Sequence, residues 1–143
     1  MRTGLFGFAA TAALFAAGVA SAATLTFTTT LSGASETPPN TTTGTGQVSA
    51  TLDTTSKVLS YTVTYSGLTG PPIMAHFHGP AGPGVSAPPV VAVPKSALAS
   101  PMAGTATLTD GQISDLEAGK WYFNIHTAAI PGGEVRGQVL EAH

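Results

Sequence analysis

Leu59-Ser60-Tyr61-Thr62-Val63-Thr64-Tyr65 alternates large apolar and small polar side chains without a break. Successive side chains of a β-strand point to opposite faces, so Leu59, Tyr61, Val63 and Tyr65 share one side of a half-buried strand. The same period of two recurs along the chain. Leu25, Phe27, Thr29 and Leu31 make one set; Val48, Ala50 and Leu52 make another. Ile73, Ala75 and Phe77 follow, then Trp121, Phe123 and Ile125, then Val135 and Val139. Val90 to Val93 is a short apolar run, and Ala106 and Leu108 continue the pattern between threonines. Threonine occurs 22 times, and its β-branched side chain suits pleated, half-exposed strands.

Turn chemistry separates these runs. Asp53-Thr54-Thr55-Ser56 reads as a hairpin loop, and Gly67 to Pro72 carries two glycines and two prolines. Gly79 to Pro89 is a long loop of Pro, Gly and Ala, and Pro131-Gly132-Gly133 marks a late turn. Pro38-Pro39 argues against a central strand there. One helix is expected, capped by Thr109 or Asp110, covering Ile113 to Ala118 and stopped by Gly119. Eight or so short strands predict an all-β domain: a Greek-key β-sandwich, immunoglobulin-like or copper–zinc-superoxide-dismutase-like, with a small barrel as the alternative.

The chain has 143 residues, enough for one domain. Its 43% hydrophobic content is too high for disorder. Five Lys+Arg against seven Asp+Glu give no basic patch for nucleic acid. Without cysteine there is no disulfide scaffold, thiolate zinc site, Cys nucleophile or blue-copper centre. Residues 1–22 read as a secretory signal: Arg2, an apolar run from Leu5 to Val19, then Ala20-Ser21-Ala22 as a small-residue cleavage pattern. The run is shorter than the roughly 20 apolar residues a membrane span needs. The mature domain, 23–143, is therefore expected in the periplasm or secreted, without a membrane span.

Three of the four histidines fall where chemistry is possible. In Ala75-His76-Phe77-His78-Gly79, the two imidazoles share the strand face opposite Phe77, with Cβ atoms roughly 6–7 Å apart. In Trp121-Tyr122-Phe123-Asn124-Ile125-His126, the apolar residues take the core face and His126 the other. If the two strands are neighbours, three imidazoles converge. Three neutral imidazoles suit copper, or zinc, over calcium or magnesium, which want oxygen ligands. Gly82 and Pro83 stand where a cupin has its acidic residue, so that family is disfavoured. The His order is similar to that of copper–zinc superoxide dismutase, but the bridging-His loop and the cysteines of that enzyme are missing.

Four motifs in order resemble the CHRD domain, a family named from chordin and common in bacterial exported proteins. They are Leu31-Ser32-Gly33-Ala34-Ser35-Glu36-Thr37-Pro38-Pro39, Ala75-His76-Phe77-His78-Gly79-Pro80-Ala81, Trp121 to Thr127, and Pro131-Gly132-Gly133-Glu134-Val135-Arg136-Gly137-Gln138-Val139. The resemblance spans about residues 27–140 and implies an all-β extracellular domain, with no defined activity. Glu36, Glu134 and Arg136 sit in these motifs. Arg136 is expected to pair with Glu36 or Glu134, and one carboxylate is available as a fourth ligand or as a partner to an imidazole. Asn124 ranks below these as a positioning group for His126. The functional expectation is an exported metal-binding protein holding copper through His76, His78 and His126, for storage, transfer or redox. The alternative is a metal-free interaction or matrix module that uses the Gly79–Pro89 loop. Catalysis is undecided and disfavoured, since no nucleophile elbow or phosphate loop is present.

Overall fold

The structure is a computed structural model that describes Thr11 and residues 23–143; the expected secretory signal lies outside the described residues. Eight strands and one helix follow in order: β1 (Thr24–Ser32), β2 (Thr45–Asp53), β3 (Val58–Ser66), β4 (Pro72–His78), β5 (Pro89–Ala92), β6 (Met102–Thr107), α1 (Asp110–Glu117), β7 (Trp121–Thr127) and β8 (Val135–Glu141). All pair antiparallel in one sheet of order β5-β4-β7-β8-β1-β2-β3-β6. The sheet curls until its two halves face each other. Tyr61 on β3 meets Phe77 on β4 with ring centroids 5.2 Å apart, although the two strands are far apart in the strand order. The fold is thus all-β and sandwich- or barrel-like, with one helix, and its two layers are halves of a single, nearly closed sheet.

The alternation seen in the sequence is the alternation of burial. Phe27, Leu31, Leu52, Leu59, Val63, Phe77, Trp121, Phe123, Ile125, Val135 and Val139 all have no exposed surface. Phe77 sits at the centre, 4.8 Å from the Phe123 ring and 5.8 Å from that of Trp121. Between the strands the Asp53 carboxylate accepts from the Thr55 and Ser56 amides at 2.8 and 2.9 Å and turns the β2–β3 hairpin. Thr109 caps α1 in a reciprocal capping box with Gln112, so the helix starts three residues before the expected Ile113. Gly119, at φ +72, ends it in a left-handed turn that Gly adopts at no steric cost.

Two expectations are corrected. Ile73 is 40% exposed rather than core, because the β4–β7 register shifts between Pro72 and Met74 and leaves Ile73 outside the alternation. β6 begins earlier than the Thr-Ala-Thr run suggests, and Met102 on it is fully buried.

The seam that joins the two halves is β1 against β8, with Thr28 opposite Leu140 and Ser32 opposite Arg136. Gly137 lies within it, and a Cβ there would strike the Thr30 carbonyl and the Thr29 hydroxyl. Gly137→Ala is therefore expected to lower stability by about 1–3 kcal/mol through overpacking. Urea denaturation measures it, and an unchanged midpoint would show that the seam has room to spare.

Candidate metal centre

Pairing β4 with β7 places His76 opposite Asn124 and His78 opposite Tyr122. Pairing β7 with β8 adds Arg136 opposite Asn124 and Gln138 opposite Tyr122. The outer face of these strands is thus a polar layer, and β7 is buried on both faces. Two loops cover it. The 33–43 segment brings Glu36 and Asn40, and the 79–88 loop brings the Gly82, Val85 and Ala87 carbonyls.

The three expected histidines meet. One ring nitrogen from each of His76, His78 and His126 lies within 4.8 Å of the other two, and no carboxylate joins the group. The His76 ring is 5.2 Å from each of the other two between centroids. Metal–nitrogen bonds of about 2.0–2.1 Å put two ligand nitrogens at most about 4.1 Å apart, so the rings must draw together slightly to share one ion.

Each ring is held differently. His126 Nδ1 lies 2.8 Å from the Pro131 carbonyl and donates to it, which leaves Nε2 with its lone pair. That Nε2 is buried and has no partner, and neither does His76 Nδ1. His78 has both nitrogens occupied: Nδ1 is 2.8 Å from the Ala87 carbonyl, and Nε2 is 2.8 Å from the Asn124 side-chain amide. A neutral imidazole has a single N–H. With Nδ1–H given to Ala87, Nε2 accepts, so the Asn124 amide meets it through its NH₂ group, the two amide ends being interchangeable in shape.

Electrostatics disfavour the protonated forms of His76 and His78. Burial first, then the neighbouring His126 and His78 rings, pull the His76 pKa down to about 4. Burial also pulls His78 below its ordinary value, against its bonds to Ala87 and Asn124. Neutral imidazole is the form that binds a metal.

The remaining candidates are placed otherwise than expected. Arg136, 1% exposed, has no ion-pair partner; the one salt bridge among the described residues joins Lys57 and Asp110. Its guanidinium donates to the Thr37 hydroxyl at 3.1 Å and to the Gly82 and Val85 carbonyls at 3.2 and 2.8 Å. It also lies 3.5 Å over the Tyr122 ring, which stacks on His78 at 4.7 Å. The covering loop itself, not a carboxylate, satisfies this cation. Glu134 is fully buried away from the imidazole cluster and accepts from the Thr42, Thr69 and Thr127 hydroxyls and the Thr69 amide. Burial raises its pKa, but these donors outweigh burial and hold the carboxyl below its usual range. Asn124 serves His78 rather than His126. Its importance was hidden in the sequence because nothing there reports the cross-strand register.

Glu36, 3% exposed, reaches the layer from the other loop and packs beside Asn124. Its burial raises the carboxyl to about pKa 7 against weaker opposing contributions from Thr37, Asn124 and Arg136. A cleft of about 480 Å³ opens beside this layer between the two loops, lined by Glu36, Thr37, Arg136 and Gln138, and no histidine lines it.

The CHRD domain family model matches residues 27–139, most of the chain, and the chain belongs to that family. No curated protein and no solved structure matches it significantly. Among the described residues, no helix is long and apolar enough to cross a membrane.

Burial of the Glu36 carboxyl makes stability depend on pH. The native state keeps this proton up to about pH 7, whereas the ordinary carboxyl releases it near 4.5. Between those values the native state binds more protons, so the contribution of Glu36 is full below 4.5 and declines as pH rises toward 7. Glu36→Gln keeps the shape of the side chain and removes the titration. Its stability relative to wild type is expected to rise by about 3 kcal/mol between pH 4.5 and 8, from 1.36 kcal/mol per pKa unit. Urea melts at both pH values measure this, and a pH-independent difference would refute the buried neutral acid.

Proposed function

We propose that this CHRD domain is an exported metal-binding protein, periplasmic or secreted, that holds copper through His76, His78 and His126. The reading rests on one observation: three imidazoles on two strands converge, and two of their buried nitrogens face no partner. A neutral, all-nitrogen donor set favours copper or zinc over hard cations, and copper binds such sites more tightly than zinc. Export is inferred from the composition of residues 1–22.

The chain's own groups set up the site. The Pro131 carbonyl orients His126, and the Ala87 carbonyl orients His78. Such outer partners fix the ring that presents its lone pair. Asn124 holds Nε2 of His78 and must release it for all three rings to serve one ion. Bound copper would supply one-electron chemistry, suited to storage, transfer or a redox role.

Equilibrium dialysis of the purified protein against copper(II), with metal analysis, tests the proposal. One equivalent is expected to bind to wild type, and a His76/His78/His126→Ala triple variant is expected to lose it. Equal uptake by the two proteins would overturn the reading. It would leave a metal-free interaction module, presenting the 56% exposed Val85 at the tip of the covering loop.

A further inference from the structure

The β4–β7 register brings one more side chain to the imidazoles. Met74 lies directly opposite His126, two residues before His76. Alternation therefore places Met74, His76 and His78 on one face of β4, beside His126 on β7. Directly opposed residues carry Cβ atoms about 4.5–5.5 Å apart, a gap that the long, flexible methionine side chain spans.

Met74 has no structural duty that explains it. It is 40% exposed and belongs neither to the buried core nor to the hydrophobic residues packed against it. The other large apolar residue nearby, Ile73, is displaced by the register shift, whereas Met74 remains in the ladder. A thioether-bearing residue thus lies in register with a cluster in which His76 Nδ1 and His126 Nε2 lack partners. His78, at the other end of the β4 row, is tied up by Ala87 and Asn124. Both nitrogens of His76, Nε2 of His126 and the Met74 sulfur are free of hydrogen bonds, whereas His78 has none to spare.

We propose that Met74 is a metal ligand, and that His76, His126 and Met74 together form a copper(I) site. This deepens the copper reading above and rests on it. A thioether is soft and uncharged, and it selects copper(I) over copper(II) and zinc. The absence of a carboxylate from the cluster also favours the ion of lower charge. His78, once released by Asn124, adds the third nitrogen that the harder copper(II) prefers. The two oxidation states thus draw on overlapping ligand sets, with Met74 weighted toward the reduced one.

The test uses the purified protein and the variants Met74→Leu and the triple histidine variant. Leu keeps the size and apolarity of an exposed site, so folding is expected to survive. Copper(I) affinity is measured anaerobically, with ascorbate, by competition against a chromophoric copper(I) chelator. Copper(II) affinity is measured separately. Met74→Leu is expected to weaken copper(I) at least about tenfold, the smallest loss seen even when a ligand's outer partner is removed. Copper(II) should change by less than about threefold. A tenfold selective loss lowers the copper potential by about 59 mV.

X-ray absorption of the copper(I) form gives a second readout. The chain contains no cysteine, and its methionines are Met1, Met74 and the fully buried Met102. A sulfur neighbour present in wild type and absent in Met74→Leu supports the assignment. Unchanged copper(I) affinity in Met74→Leu, with binding lost in the triple variant, refutes the sulfur ligand and leaves the histidine site standing. Failure of wild type to bind either copper ion stoichiometrically overturns both.

Discussion

Antiparallel pairing of β4 with β7 sets Phe77 against Phe123 on one face and His76 against Asn124 on the other. The two strands lie over forty residues apart in the chain, so this pairing is purely tertiary. Because a strand repeats every two residues, a slip of one position would carry the imidazoles into the core and the phenyl rings out to the loops. Burial of Phe77 and Phe123, both without exposed surface, strongly penalises that slip. The hydrophobic effect therefore positions the histidines without touching them. The site inherits its precision from a core on the opposite side of the same two strands.

The polar layer needs its own solution, since polar groups removed from water must find partners. Glu134 and Arg136, two residues apart on one face, solve it in different ways. The carboxylate collects the Thr42 and Thr69 hydroxyls and the Thr69 amide from the 42–44 and 67–69 segments, and the Thr127 hydroxyl from β7, and so pins those loops to the sheet. The guanidinium collects backbone carbonyls from the 79–88 loop and stacks on Tyr122. An ion pair between the two would have satisfied only each other. Separate engagement lets one cation and one anion each order a stretch of irregular chain. The long Pro- and Gly-rich loop covers the layer through its carbonyls while its tip, at Val85, stays exposed.

Much of this was legible in the sequence, and the part that was not has a physical reason. Period-two alternation marks β1, β2, β3, β7 and β8 and their buried sides, because burial on one face imposes it directly. It also separates His76 and His78 from Phe77, and His126 from Ile125. Adjacency of β4 and β7 is a matter of long-range pairing, which local pattern does not encode, so the convergence of the rings stood only as a condition. Ile73 misled because a register shift breaks the alternation without any local mark. Arg136 misled because opposite charges in one motif invite pairing, whereas the loop carbonyls that satisfy it are anonymous in sequence. Met74 and Asn124 carry no mark in the sequence for the same reason: their partners are defined by register alone.

A buried acceptor without a partner costs about 1–3 kcal/mol, and a fold of this size has little stability to spare. Threonines, carbonyls and an amide satisfy much of this layer, although Glu36 Oε1 and Gln138 Oε1 also lack partners. Within the imidazole cluster, the buried unpartnered atoms are His76 Nδ1 and His126 Nε2. Protonation would relieve them in water, but burial and the neighbouring rings hold His76 neutral down to about pH 4. Proteins spend stability in this way where a ligand recovers it, since anything that binds only the native state stabilises it by mass action. An ion that accepts both lone pairs at once removes the cost and couples two strands in a single step. On the metal-binding reading proposed above, an ion would fill this deficit, while Asn124 already partners the third ring.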